Sequence, residues 1–178
     1  GKSTGMVRVF FDFANLGPQP TANASIEGDA EGDAFGHAID GAAGDLTGDG
    51  TPDLLVGARS ADLAGTDSGG AYLFAGPIPP DRHRADGLAH AIFEGRNSYD
   101  LAGVGIASWD ANADGQLDAL VGADEDAGGG SWAGRVFIYL GPISSGTRGA
   151  TSAEHYITGW DNDEIGTFLH ARGDLNGD

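Results

Sequence analysis

The sequence predicts an all-β chain, a β-propeller built of four-stranded blades repeated around an axis. Three observations carry that reading. A nine-residue acidic loop occurs twice in full and begins a third time. The same short apolar runs, bounded by Gly, Pro and Asp, follow each full copy, and at four to five residues they suit short strands. No stretch sustains a 3.6-residue apolar period with capping signals, so no helix of ten or more residues is expected.

The loop comes first. Asp45-Leu-Thr-Gly-Asp49-Gly50-Thr-Pro-Asp53 returns as Asp110-Ala-Asn-Ala-Asp114-Gly115-Gln-Leu-Asp118, and Asp174-Leu-Asn-Gly-Asp178 opens a third copy, at spacings of 65 and 64 residues. Such a period marks a repeat architecture, each unit being one supersecondary block. Next comes an apolar run, Leu-Leu-Val-Gly-Ala58 in one copy and Ala-Leu-Val-Gly-Ala123 in the other. A Gly-rich loop leads to Gly70-Ala-Tyr-Leu-Phe-Ala-Gly76-Pro77, matched by Gly134-Arg-Val-Phe-Ile-Tyr-Leu-Gly141-Pro142 and, near the start, by Gly5-Met-Val-Arg-Val-Phe with Leu16-Gly17-Pro18. An apolar residue, one spacer and glycine close each unit, at Ile26–Gly28, Phe93–Gly95 and Ile157–Gly159. The unit therefore reads as strands at residues 35–42, 53–58, 71–75 and 89–93, with the acidic loop between the first two.

This pattern resembles the FG-GAP repeat of the integrin α-chain β-propeller. Phe35-Gly36 stands at the first signature, with Ala102-Gly103 and Ile165-Gly166 at the same place in later copies, and Val56-Gly57-Ala58 and Val121-Gly122-Ala123 stand at the second. Counting by blades, residues 5–28 give the last two strands of one blade, 35–95 and 100–159 two full blades, and 165–178 the start of another. That is about two and three-quarter blades, whereas a propeller closes with four to eight. The expectation is a segment of a larger propeller, or one completed by further chains, since an open array leaves bare strand edges.

Asp at loop positions 1, 5 and 9 with Gly at 6 points to a hard dication. Calcium collects six to eight oxygens, glycine permits the sharp turn, and position 7 offers its backbone carbonyl. Loop one would use Asp45, Thr47, Asp49, Thr51 and Asp53, and loop two Asp110, Asn112, Asp114, Gln116 and Asp118. Asp174, Asn176 and Asp178 would begin a third, truncated site. A hydroxyl at Thr47, where loop two has an amide, makes the first site the weaker. An EF-hand is excluded, because position 12 is Val56 or Val121 instead of a bidentate Glu, and each loop runs into a strand. The bland alternative, Asp and Gly as simple turn formers, leaves three carboxylates crowded without a counter-ion. Mg²⁺ suits the loops less well, since it demands tight octahedral geometry. The resemblance likewise implies calcium.

Composition removes other classes. Lys plus Arg number 9 against 27 Asp plus Glu, a net charge of −18 that phosphate would repel, so nucleic acid is not a partner. No apolar run is long enough to span a membrane as a helix. The chain has no cysteine, hence no disulfide or zinc–thiolate chemistry. The N-terminal residues do not read as a signal peptide. A single Lys and the residual acidity hint at a saline source.

Catalysis finds little support. There is no Gly-x-Ser-x-Gly elbow or His-Glu-x-x-His, and the five histidines are scattered. His37 and His170 are expected to be packed or hydrogen-bonded in first strands, and His83, His90 and His155 to be solvated. Arg172-Gly173-Asp174 spells an adhesion tripeptide, but its Asp opens the third loop. Trp109-Asp110 and Trp160-Asp161 do not make a WD40 repeat at this period. Gly1-Lys2-Ser3-Thr4 lacks the glycine of a P-loop, and Asn23-Ala-Ser25 is a glycosylation sequon. The expected function is a non-catalytic, calcium-binding module for extracellular protein or cell-surface adhesion. By the resemblance, partners meet the loops opposite the calcium end, at residues 59–69, 96–99, 124–134 and 160–163. Arg96, Tyr99, Trp132 and Trp160 are the candidate anchors there, because aromatics and Arg dominate contact energetics. Two alternatives remain: a carbohydrate-binding or polysaccharide-lyase-type propeller with Trp132 or Trp160 stacked on sugar, and a structural subunit joined edge to edge into a ring or filament.

Overall fold

The computed structural model describes residues 3–11 and 21–170. Within them the chain is all-β, with twelve strands in three sheets. The first sheet begins with β1 (Met6–Val9) and β2 (Ala24–Glu27), an antiparallel pair. The second runs β3 (Phe35–Gly44), β4 (Asp53–Ala58), β5 (Gly70–Phe74) and β7 (Ala91–Glu94), each antiparallel to the last. The third repeats it with β8 (Ile106–Trp109), β9 (Asp118–Ala123), β10 (Arg135–Tyr139) and β12 (His155–Thr158).

Two strands were not legible in the sequence. β6 (Asp81–Arg84) and β11 (Gly146–Gly149) lie in the connections between the third and fourth strands. Each runs parallel to the fourth strand of the preceding blade, β6 on β2 and β11 on β7. Asp-Arg-His-Arg and Gly-Thr-Arg-Gly have no apolar alternation; their backbones make the pairing, and on β6 the Arg82 and Arg84 side chains also reach Glu27 of β2. The four-residue helix α1 (Ala85–Leu88) follows β6.

Packing runs between blades. β4 and β9 are buried at every position, as expected of strands covered on both faces. One apolar cluster joins Val7 and Ile26 to Phe35, Val56, Tyr72 and Phe74. A second joins Leu55, Leu73 and Phe93 to Val121, Phe137 and Tyr139, with the Phe93 and Tyr139 rings 4.5 Å apart between centroids. Glycine sets the spacing of adjacent blades. A Cβ at Gly57 would overlap the Gly103 carbonyl oxygen, and one at Gly122 the Gly166 carbonyl. Gly103 donates its N–H to the Gly122 carbonyl at 2.8 Å, which ties strand to strand across the pair.

The same geometry corrects the sequence alignment of the repeats. Parallel bridges join Gly5 to Phe35, Gly69 to Ala102 and Gly134 to Ile165, so Gly69, and not Gly70, is the counterpart of Gly134. Arg135 then corresponds to Gly70. It lies over the Tyr156 ring at 4.7 Å and faces Asp126 at 3.5 Å in a buried ion pair. Gly128 leaves room for that guanidinium, whereas in the first full blade Leu63 takes the space above Gly70.

Candidate functional site

The acidic loops lie at one end of the blades. Loop one joins β3 to β4, and loop two joins β8 to β9. Gly50 and Gly115 hold φ near +88° and +85°, the left-handed turn that glycine adopts without strain. Both loops close in the same way. Asp45 Oδ1 accepts the N–H groups of Gly48 and Asp49 at 2.7 and 3.1 Å, and Oδ2 accepts that of Gly50 at 2.7 Å. These amides, Gly50 first, hold the Asp45 carboxyl below its ordinary range. Asp110 takes the amides of Asp114 and Gly115 at 3.0 and 2.9 Å. Asp49 and Asp114 accept the N–H of Thr51 and Gln116, both at 2.8 Å. At position 3, Thr47 Oγ1 donates to Asp45 at 3.4 Å, while Asn112 Nδ2 donates to Asp114 at 2.8 Å.

The ninth position behaves differently. Asp53 is buried, and its Oδ2 accepts the Leu46 and Thr47 amides at 2.8 and 2.9 Å while Oδ1 accepts the Gly76 amide at 3.0 Å. Asp118 repeats this with Ala111 at 2.7 Å and Gly141 at 2.9 Å. These carboxylates pin the loop to the start of the next connection.

Calcium asks for six to eight oxygens around one point. The donor set is oxygen-only and matches in kind: carboxylates at 1 and 5, a hydroxyl or amide at 3, a carbonyl at 7. Among the described residues, however, no three His, Asp or Glu side chains converge to hold an ion, because the ninth-position carboxylate turns inward to backbone amides. Asp174, Asn176 and Asp178 lie outside the described residues.

The opposite end carries the loops at 59–69, 95–103, 124–134 and 159–165. They interlock through Tyr99 N–H to the Thr66 carbonyl at 2.8 Å and Glu164 N–H to the Trp132 carbonyl at 2.9 Å. Arg96 is exposed there, as are Tyr99 (59%), Trp132 (57%) and Trp160 (81%). Tyr99 and Trp132 have φ of +69° and +53°, a region bulky side chains avoid. The turn imposes it: Gly32, Tyr99 and Asn162 occupy one repeated position, all with positive φ, and Asp67 and Trp132 share another. At this end two clefts of about 510 and 390 Å³ occupy matching places in the two full blades. Asp29, Asp62 and Asp86 line the first, and Arg96 and Arg135 the second.

Sequence reasoning missed a second repeated aspartate. Asp33, Asp100 and Asp163 each accept, through Oδ2, the N–H three residues earlier, from Ala30, Asn97 and Trp160 at 2.7–2.8 Å. Each lies three residues before Gly36, Gly103 or Gly166, a spacing that was visible but masked by the richer acidic loop. Burial pushes the Asp33 and Asp100 carboxyls up despite those amides. The histidines also depart from expectation. His37, on β3, and His170, which lies outside any strand, are both exposed. His83 and His90, expected in solvent, bond through Nε2 to the Pro80 and Ile143 carbonyls at 2.9 and 3.0 Å, the first within its own connection and the second across to the connection of the next blade.

Comparison with known families finds the FG-GAP repeat at residues 38–74, which covers most of β3, the first acidic loop, β4 and β5. No curated protein matches the chain.

Proposed function

We propose, for a chain carrying an FG-GAP repeat at residues 38–74 in a β-propeller-type array, a non-catalytic extracellular binding module with calcium at one end and its partner at the other. FG-GAP repeats occur in integrin-like extracellular proteins, and the family is generally non-catalytic. No helix among the described residues is long and apolar enough to cross a membrane.

One observation carries the reading: the antiparallel blades put the acidic loops at one end and the exposed Tyr99, Trp132, Trp160 and Arg96 at the other. Rings of that size in solvent, two of them in backbone conformations that disfavour them, bring the fold little packing in return. A contact surface accounts for them, since aromatic and Arg side chains supply most interface energy. Three exposed rings beside many carboxylate acceptors also suit a glycan, whose CH faces stack and whose hydroxyls donate. That is the second reading.

Calcium would be held by Asp45, Asp49 and the Thr51 carbonyl in loop one, with Thr47 beside them, and by Asp110, Asn112, Asp114 and the Gln116 carbonyl in loop two. The bound ion would supply charge neutralisation and cross-link each loop. Asp53 and Asp118 would act chiefly by shaping the cage from beneath. The expected result of a thermal melt at fixed ionic strength is a higher midpoint with calcium than with chelator. Each site filled at a hundred times its Kd adds about 2.7 kcal/mol, roughly 5–10 °C for a chain of this size. An unmoved midpoint would remove calcium from the proposal.

The partner face has its own test. Trp132→Gly relieves the strained φ, so stability should stay within about 1 kcal/mol of the parent. Adhesion to cells or to arrayed glycans should fall at least tenfold. Retained adhesion with both Trp132→Gly and Tyr99→Gly would sink the assignment of this face.

A further inference from the structure

We propose that the 390 Å³ cleft between the second and third sheets is a binding site for the carboxylate of an acidic sugar, gripped by Arg96 and Arg135. The proposal rests on the glycan reading of this end of the molecule and gives that glycan a charge. Tyr99, Trp132 and Trp160 do not line the cleft, which makes it a site of its own.

The two clefts are built from the same positions and carry opposite charge. Asp29 and Arg96 each follow the glycine that closes a unit, in Ile26-Glu-Gly28-Asp29 and Phe93-Glu-Gly95-Arg96. Asp86 and Thr151 each follow a buried alanine, Ala85 or Ala150, just beyond β6 or β11. Gly70 and Arg135 are counterparts, as are Ile92 and Tyr156, which pair in register with Tyr72 and Phe137. The first cleft therefore has carboxylates where the second has a guanidinium and a hydroxyl. In a chain with 9 basic residues against 27 acidic ones, two arginines in one cleft oppose the charge of the whole molecule.

Arg135 is set for an incoming anion. Its side chain is only 9% exposed, and the Phe137 and Tyr156 ring centroids lie 5.7 and 4.7 Å from the guanidinium. Nε donates to Thr158 Oγ1 at 3.1 Å, and Nη2 faces Asp126 at 3.5 Å. Those contacts fix the plane of the fork and leave Nη1 without a hydrogen bond among the described residues. Arg96, exposed in the loop after β7, makes neither a hydrogen bond nor an ion pair with them. Asp100 and Asp126 supply opposing charge, but both are buried and neither lines the cleft.

A fork of guanidinium donors matches a carboxylate in shape and charge. Tyr156 adds a ring wall and Thr151 a hydroxyl, partners for the CH face and hydroxyl groups of a sugar. The net charge of −18 repels a ligand of many charges, such as a run of acidic side chains or phosphates. One carboxylate among neutral hydroxyls meets much less of that repulsion. The volume lies in the range of small-ligand pockets, about 300–1,000 Å³.

The test is calorimetry in chelator at fixed ionic strength, with methyl glucuronide against methyl glucoside, which differ only at the carboxylate carbon. The glucuronide should bind about tenfold more tightly, or better. Arg135→Ala would leave Asp126 buried without its cation, so the variants are placed at exposed positions. Arg96→Asp with Thr151→Asp copies the first cleft. It should weaken glucuronide binding about tenfold or more, with the melting midpoint within about 2 °C of the parent. Asp86→Thr, in the first cleft, should leave glucuronide binding unchanged. Equal affinity for the two glycosides overturns the proposal, as does glucuronide binding that survives the double variant. Acetate bound as tightly as the glucuronide overturns the sugar assignment. A glycan array with hits on neutral sugars alone sinks this site and leaves the glycan reading standing.

Discussion

Asp53→Ala is expected to cost about 5 kcal/mol, enough to leave the protein mostly unfolded at 37 °C. The carboxylate is buried and accepts three backbone amides, from Leu46, Thr47 and Gly76. Hydrogen bonds to a charged acceptor contribute about 1.5–3 kcal/mol each, and a buried donor left without a partner costs more than a bond never made. Total stabilities of about 5–15 kcal/mol leave little room for such a loss. Asp53→Asn keeps one acceptor oxygen and should cost roughly half as much. The decisive comparison is urea denaturation in chelator. A carboxylate that serves only as a metal ligand would lose its effect there, whereas the structural clamp keeps most of it. Asp49→Ala is the control. Its side chain is exposed, so its effect should be confined to calcium-containing buffer.

Gly57→Ala should cost about 4 kcal/mol, although the change adds a single methyl group. The new Cβ would overlap the Gly103 carbonyl oxygen of the next blade. Backbone cannot swing aside as a side chain can. Gly103 itself has φ of +83°, bonds to the Gly122 carbonyl, and lies against the Gly70 carbonyl. Relief therefore requires moving one blade off another, which opens the cluster that holds Leu55, Phe93, Phe137 and Tyr139. Overpacking usually costs about 1–3 kcal/mol, and rigid surroundings push it higher. Gly50→Ala offers the contrast: nothing lies within 4 Å of its Cβ, so only the strained φ of +88° remains. That penalty is about 1–2 kcal/mol. Equal effects at Gly57 and Gly50 would contradict the blade-contact explanation.

The candidate loops were legible because their oxygen-bearing side chains and the glycine of the turn sit within nine consecutive residues. The sequence could not tell position 9 from positions 1 and 5, since all three are aspartate. Burial separates them: Asp53 and Asp118 face the amides of Gly76 and Gly141, 23 residues further on. The opposite end was legible as loops. That Tyr99 and Trp132 occupy left-handed positions follows only from the turn geometry of the repeat.

By itself the sequence determined the all-β class, the strand runs from Asp53 and Asp118, the period near 65 residues, and the oxygen chemistry of the acidic loops. Each of these is encoded locally, by short apolar runs, by Gly and Asp at fixed offsets, and by self-similarity. The tertiary structure decided what depends on a neighbouring blade. It placed Arg135 opposite Gly70 and not Ala71, seated β6 and β11 on the preceding blade, and gave the Val-Gly-Ala glycines their reason. It also left Ile157 in solvent where Ile26 and Phe93 are covered. Those contacts join backbones far apart in sequence, and a backbone amide or carbonyl carries no residue-specific signal.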